Sequence, residues 1–403
     1  MAILLKEYNP DIECVIYEIR EQHTTWGGAL NFRCNGLRVL DKLGVYQDIL
    51  SVAAETNEFD FYSANGSHIG VLPMGHLHKR KYGYGCMRIL RSLLHEKIMA
   101  KATQAGITVH MGKRLSTIDE TEDSVKVTFE DGTTETGDIL VGADGIHSVV
   151  RTKHVQPSLE PTYTGLSSLY SLVPTSTLQS PLYFNDNFGA IMLSSGLFAT
   201  GFYDKERQHM YWFNTHEVAS RDRDGWTAHG KESEIIKAEV LERTRNITIP
   251  LVREIVESSP DIKFYPIYTL PSGGKCHTGR TLLIGDAAHG TPPSVFDLMI
   301  AMPPHIGQGT SMALEDTVLL ARLLAEKTDI ATVFQKFDKI RRPRIETFFK
   351  YAQTSGNLRR ETGPWGQWLK EWGMWLFLKI TPEWWSSVPF EYDVITVSLE
   401  TPK

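Results

Sequence analysis

Residues 280–290 read Arg-Thr-Leu-Leu-Ile-Gly-Asp-Ala-Ala-His-Gly, and the fold turns on this stretch. An unbroken apolar run of this length predicts a strand covered on both faces, as in a parallel sheet flanked by helices. The Gly-Asp that ends it is followed by small, helix-forming residues. Residues 138–143 (DILVGA) repeat the pattern and also end in Asp-Gly, at Asp144 and Gly145. Residues 14–18 (CVIYE) form a third short β-rich run that stops at an acid, Glu18. Buried strands separated by helical stretches are the signature of an α/β fold of the Rossmann-like kind.

Outward from these strands, helices are predicted over residues 2–8, 35–42 (stopped by Gly44), 88–105, 310–327 and 334–352. The third carries Leu90, Leu93, Leu94, Ile98 and Ala102 at helical spacing and is capped by Gly106; the last is expected to kink at Pro343. Residues 52–72 are mixed and strand-like, and 107–111 is a short strand. Residues 124–130 alternate in period two, and the Asp131-Gly132 turn predicts a hairpin returning over 133–136. Between about 154 and 263 the texture changes to short antiparallel strands at 189–194, 197–203 and 209–214, with helical composition from 231 to 258. This block reads as a β-rich domain inserted into the α/β framework.

Length and charge bound the rest. A chain of 403 residues implies two or three domains, or one large interleaved body. With 42 basic against 48 acidic residues there is no basic excess of the sort a nucleic-acid binder carries. Cys14, Cys34, Cys86 and Cys276 are scattered and form no CxxC pair, so reduced, buried thiols of an intracellular protein are expected rather than a zinc knot or disulfide framework. Residues 1–11 hold too short an apolar run for a signal peptide. Residues 374–380 (MWLFLKI) fall far below the roughly 20 residues of a membrane span, so the Trp-rich tail is expected to pack as a helix, with contact to a membrane surface left open. The chain reads as soluble and cytoplasmic.

Three constellations carry chemistry. An acid at the end of a dinucleotide-fold strand, here Glu18, accepts hydrogen bonds from ribose hydroxyls; a strand end that merely meets solvent is the plainer alternative. Asp144, Gly145, Ser148 and Arg151 follow a buried strand at the start of a helix, where phosphates are held, although Asp-Gly is often only a turn. Asp286 ends the deciding strand and is followed by Pro303-Pro304-His305-Ile306-Gly307-Gln308-Gly309 and a helix containing Leu314-Glu315-Asp316. An acid suits polyol hydroxyls, and glycine backbone approaches a flat ring without side-chain obstruction. No metal-ligand cluster and no nucleophile triad is apparent.

Taken together, these motifs resemble the FAD-dependent aromatic hydroxylases, the group A flavin monooxygenases of para-hydroxybenzoate- and salicylate-hydroxylase type, and especially the fungal secondary-metabolite members. The resemblance runs from residue 2 to about 355 through GGALNFRCNGLRVLDKLG (27–44), Arg91-Ser-Leu-Leu94, DGIHSVVR (144–151), GDAAH (285–289) and GQGTSMALED (307–316), with a Trp-rich tail of the fungal kind. It implies a Rossmann-like FAD-binding domain over 1–50, 87–153 and 266–330, a β-sheet-rich substrate domain over 51–86 and 154–265, and a C-terminal helical region over 331–403. Carried over residue by residue, Glu18 binds the adenosine ribose and Gly28 lies near the flavin. Arg91 contacts the pyrophosphate or ribityl chain, Asp144 the pyrophosphate side and nicotinamide route, and Asp286 the ribityl chain. Pro304, Gly307 and Gly309 shape the ring pocket; Arg151 is a weaker candidate for the NAD(P)H side, and His289 is read as structural at least as readily as catalytic.

The implied activity is NAD(P)H- and O2-dependent hydroxylation or epoxidation of a small aromatic, polyketide or isoprenoid metabolite in secondary-metabolite biosynthesis. A flavin dehydrogenase or oxidase on the same fold, and a truncated non-catalytic remnant, stay open as alternatives. Two departures from the family pattern stand out: no GxGxxG strand-turn, so the first strand is missing, and residues 290–300 inserted after GDAAH. An imperfect gene model would account for both, and FAD retention by the chain as written is then expected to be weak.

Overall fold

The structure, a computed structural model, describes residues 1–22, 28–184, 187–220, 233–271, 273–290, 308–356, 361–380 and 388–400. Two assemblies of secondary structure meet along a seam.

The first assembly contains the deciding strand. Helix α1 (Ala2–Tyr8) leads into β1 (Val15–Tyr17), β2 (Ala29–Phe32), α2 (Cys34–Lys42) and α3 (Tyr46–Leu50). Strand β1 pairs in parallel with β7 (Thr108–His110). Strand β11 (Leu140–Gly142) pairs in parallel with β18 (Thr281–Leu283), in the register Leu140 to Thr281 and Gly142 to Leu283, and β17 (His277–Thr278) completes that sheet. Among the described residues no strand joins the β1–β7 pair to the β11–β18 pair. The deciding run forms its strand because both faces are covered: Leu282 and Ile284 share a core with Leu4 and Leu5 of α1 and Leu37, Val39 and Leu40 of α2, while Leu283 on the other face packs with Val150 and Val155. Val318 and Leu319 of α9 (Gln308–Leu324) and Phe334 of α10 (Ile330–Gly356) close the same core.

The second assembly is a seven-stranded sheet in the order β16-β12-β15-β14-β13-β4-β5. Its strands are β4 (Phe59–Ser63), β5 (His68–Leu72), β12 (Thr162–Pro174), β13 (Phe188–Leu193), β14 (Gly196–Phe202), β15 (His209–Glu217) and β16 (Lys263–Thr269). All neighbours are antiparallel except β13 and β4, which run parallel. Side chains of a strand alternate between faces. Met210 and Trp212 of β15 therefore point toward α6 (Ser233–Thr244) and α7 (Pro250–Glu257), while Tyr211 and Phe213 point to the opposite face. Both faces are buried, which is why these strands read as continuous apolar runs despite being antiparallel. Trp212 is fully buried and its indole donates to Ser259 Oγ at 2.8 Å, as a buried indole N–H requires.

Several local expectations are corrected. The helical spacing from residue 88 begins too early: Cys86–Leu90 is strand β6, held between β2 and β3 (Ala54–Thr56), and α5 starts at Arg91 (Arg91–Gln104). Pairing on both edges overrides the helical period there. Helix α4 (Met74–Tyr82), strand β8 (Leu115–Glu120) and the long β12 carried no clear signal, whereas the predicted 124–136 hairpin is β9 (Val125–Phe129) and β10 (Thr134–Gly137). Helix α10 runs on through Pro343. The insertion beyond Gly290, together with Pro304 and Gly307, lies outside the described residues. The deciding strand is followed by the short α8 (Asp286–His289), and the tail forms helix α11 (Pro364–Ile380).

Candidate active site

The site is built from the carboxyl ends of parallel strands, where open α/β sheets bind ligands. Strands β11 and β18 lie side by side and release Asp144 and Asp286 at the same end. The turn after β18 needs its glycine: Gly285 has φ +59 and ψ −144, and a Cβ there would stand 3.1 Å from that of Ala313. Its N–H donates to Asp316 Oδ2 at 2.8 Å, so the turn is tied to α9.

Asp286 is exposed at the end of this turn, at the edge of protein that packs closely around it. Loss of solvation to that protein raises its carboxyl pKa above the usual range, with His289 and Arg91 pulling it back. A Cβ added at Gly309, in the first turn of α9, would lie 3.9 Å from Asp286 Oδ1, so that helix N-terminus sits beside the acid. Arg91 opens α5, and its N–H donates to Gly28 O at 3.1 Å. A Cβ at Gly28 would approach Tyr211 Oη to 2.8 Å and Tyr170 Cε2 to 3.4 Å. Tyr170, which is half-buried, and Tyr265, which is 53% exposed, both have hydroxyls pushed up by the protein around them; both lie in the field of Arg91, and Tyr265 also in that of Asp286. Gly28, Arg91, Asp286 and Gly309 therefore converge on one seam, faced by Tyr170, Tyr211 and Tyr265 of the seven-stranded sheet.

Asp144 reaches this place indirectly. Its carboxylate accepts from Ser148 Oγ at 2.5 Å and from the N–H groups of Val149 and Val150 at 2.7 and 3.1 Å. The helix start that was expected to hold a phosphate is thus filled by the protein's own acid. Arg151 begins a π-helical turn and is fully buried. Its guanidinium donates to the carbonyls of Ile146, Ala287 and Leu159 at 2.6, 2.8 and 3.3 Å, stapling the Asp144 loop to α8 rather than facing solvent. Glu18 stands apart at the end of β1, with Oε1 accepting from the N–H of Arg20 at 3.0 Å.

The residues that sequence reasoning missed lie beneath the site. Asp316 accepts from His289 Nε2 at 2.6 Å and from Arg341 Nε at 2.7 Å. Glu315 accepts from Arg341 Nη1 at 2.7 Å, Arg344 Nη2 at 2.9 Å and Asn35 Nδ2 at 2.8 Å. Burial works against both carboxylates, but Arg344 and Arg341 hold that of Glu315 below its usual range, and His289 with Arg341 lowers that of Asp316 to about 2. His289 is thus held in place by Asp316 at the end of α8. The signal was present as adjacent acids in an apolar helix and two arginines three apart in another, but nothing in the sequence pairs them.

The arrangement suits FAD. An exposed acid without a hydrogen-bond donor among the described residues is free to accept from the hydroxyls of a polyol, and an exposed arginine without a carboxylate partner among them fits an anionic group. Gly309 leaves room for close approach, whereas the space beside Gly28 is taken by Tyr211. Among the described residues no group of His, Cys, Asp and Glu is arranged to hold a metal ion, and no helix is long and apolar enough to cross a membrane.

A sequence profile of the family described as FAD binding domain matches residues 2–349. The chain is 27% identical over 355 residues to 3-amino-4-hydroxybenzoate 2-monooxygenase of Streptomyces cremeus, covering 88% of this chain and 82% of that one. It is likewise 27% identical over 356 residues to hispidin-3-hydroxylase of Neonothopanus nambi, covering 82% and 80%. In fold it matches HpxO of Klebsiella pneumoniae, solved with FAD and uric acid, with a TM-score of 0.76 at 20% identity over 94% of this chain and 93% of that one.

Proposed function

The chain belongs to the FAD binding domain family and is an FAD-dependent monooxygenase of the group A flavin type, and on that premise we propose that it inserts one oxygen atom of O2 into a small aromatic, polyketide or isoprenoid metabolite at the expense of NAD(P)H. Hydroxylation of an electron-rich ring is the form favoured by the related hydroxylases, and secondary-metabolite biosynthesis is the setting. The observation that carries the reading is the convergence of Gly28, Arg91, Asp286 and Gly309 opposite three tyrosines.

Bound FAD supplies the redox and oxygen-activating chemistry. The chain's own residues hold and orient. Asp286 accepts hydrogen bonds from the ribityl hydroxyls, Arg91 neutralises the pyrophosphate or ribityl side, and Glu18 takes the adenosine ribose. Asp144 shapes the loop on the pyrophosphate side, and Gly309 admits the ring system, with Gly28 near it. In the same reading Pro304 and Gly307 line the ring. Tyr170, Tyr211 and Tyr265 supply an apolar wall with polar tips for the substrate and exclude water from it. The cofactor domain comprises 1–50, 87–153 and 266–330, the substrate domain 51–86 and 154–265, and the C-terminal region 331–403. Sheet membership supports this division, except that β3 pairs with β6, in the sheet that also holds β2, and β16 runs on to Thr269.

The test is to purify the chain, measure flavin stoichiometry, and follow NAD(P)H and O2 consumption with a panel of phenolic and prenylated compounds. A product heavier by one oxygen, formed in step with NAD(P)H oxidation, is expected. Hydrogen peroxide as the sole product with every compound would favour an oxidase, and a protein that takes up no flavin would remove the reading.

A further inference from the structure

We propose that the outer face of helix α11 seats the protein on the surface of a lipid bilayer. The helix is fixed to the body along one side only. Gln367 Nε2 donates to Met192 O at 3.0 Å, Ser63 Oγ donates to Glu371 Oε1 at 2.8 Å, and Met374 is buried. Leu378 lies over Gly70, where an added Cβ would come within 2.8 Å of it. Positions 367, 371, 374 and 378 are one helical stripe, and they face β5 and β13.

The opposite stripe is made of indoles. Trp365, Trp368, Trp372 and Trp375 are 82%, 56%, 49% and 43% exposed, with Leu369 and Ile380 beside them. The rings of Trp368 and Trp372 stack with centroids 6.4 Å apart. At 1.5 Å of rise per residue these four rings line about 15 Å of surface. Six of the chain's nine tryptophans fall within residues 365–385.

Composition and charge select the occupant. Tryptophan, with an apolar ring and one N–H donor, concentrates at the headgroup level of membranes, whereas a helix face built for a protein core favours aliphatic side chains. The one carboxylate of α11, Glu371, is turned inward, so the exposed stripe sets no acid against lipid phosphates. Lys379 is exposed in the last turn, where an ammonium meets those phosphates. Glu217 and Glu361 stand near the start of the helix, with the N–H of Glu361 donating to Glu217 at 3.1 Å. The C-terminal half is therefore the end that enters the interface. No helix of the described residues crosses a membrane, so the attachment is peripheral.

The full chain is floated with phosphatidylcholine vesicles, alone and with added phosphatidylserine, and tryptophan emission is recorded. Binding to both, stronger with phosphatidylserine and with a blue shift in emission, is expected. A Trp368→Ser, Trp372→Ser, Trp375→Ser variant should lose partition by on the order of tenfold or more with its thermal melting unchanged, since these rings pack against no core. Protein that stays in the aqueous fraction with both vesicle types overturns the proposal. So does a variant that floats like the parent, or a parent that forms a dimer, dispersed by the variant, without binding vesicles. Vesicle binding is scored without regard to flavin content, so this result and that of the oxygenation assay stand separately.

Discussion

Asp316 shows how a single side chain governs this site without touching a ligand. It takes hydrogen bonds from His289, from Arg341 and from the backbone of Gly285, and all of that lies out of water. Removing one member of such a buried pair strands its partner's charge and costs about 3–5 kcal/mol. Asp316→Asn, which keeps the shape, is expected to lower the unfolding free energy by roughly that amount in urea titration. The pH dependence follows from the same geometry. Its carboxyl is depressed from 3.8 to about 2 in the folded protein, so its contribution is complete above pH 4 and is lost as pH falls toward 2. The parent should lose stability across that window, and the asparagine variant should lose less. Asp286 has the opposite sign. Loss of solvation to the protein packed around it raises its pKa, so ionisation weighs against the folded state and that penalty grows as pH rises through the folded value. Asp286→Asn should therefore raise the melting temperature of flavin-free protein at neutral pH while weakening flavin binding, measured by fluorescence quenching. Equal or tighter flavin binding by this variant would remove Asp286 from the ribityl contact.

Among the elements, the junction of β2, β6 and α5 sets the distance between the cofactor half and the tyrosine wall. Gly28 precedes β2, and Tyr211 Oη occupies the space that a Cβ there would need. Gly28→Ala is expected to cost about 1–3 kcal/mol by overpacking and to lower flavin retention, and Tyr211→Phe on the same chain should restore part of both. A double-mutant cycle with no coupling would break the argument. How far these elements were legible varies in a physical way. The deciding strand at 280–284 and the helices over 2–8 and 35–42 read directly, because local pattern and tertiary role agree, whereas the strand at 138–143 forms as expected but is only partly buried. Cys86–Leu90 did not, since its strand form comes from β2 and β3 on its two edges, and those partners lie 30 to 61 residues away in register. At the site, Asp286 and Gly309 were legible from a strand end and a glycine at a helix start. Arg341, Arg344 and Asn35 were not, because an ion pair between distant helices leaves no period or spacing in the sequence. The tail was legible as a helix but not as one that leaves its tryptophans exposed.

Across the whole molecule, rigidity is unevenly distributed. The central strands β13, β14 and β15 of the seven-stranded sheet are buried on both faces, whereas β1 and β7 form a two-stranded pair whose residues are only partly covered. Small, half-exposed sheets open at lower free energy than a shared core. Hydrogen exchange should accordingly be faster at Val15–Tyr17 than at Tyr211–Phe213, read by mass spectrometry; the reverse order would contradict this view of the core. The central sheet also has a long reach in the chain. Strand β4 ends at Ser63 and its parallel partner β13 begins at Phe188, a separation of 188 − 63 = 125 residues. On a ribosome adding about 5–20 residues per second, an apolar β4–β5 hairpin waits for several seconds or longer before its neighbour has been made. During that interval it is a natural client for chaperones, and slowing translation between these two strands is a direct way to raise or ruin the yield of folded protein.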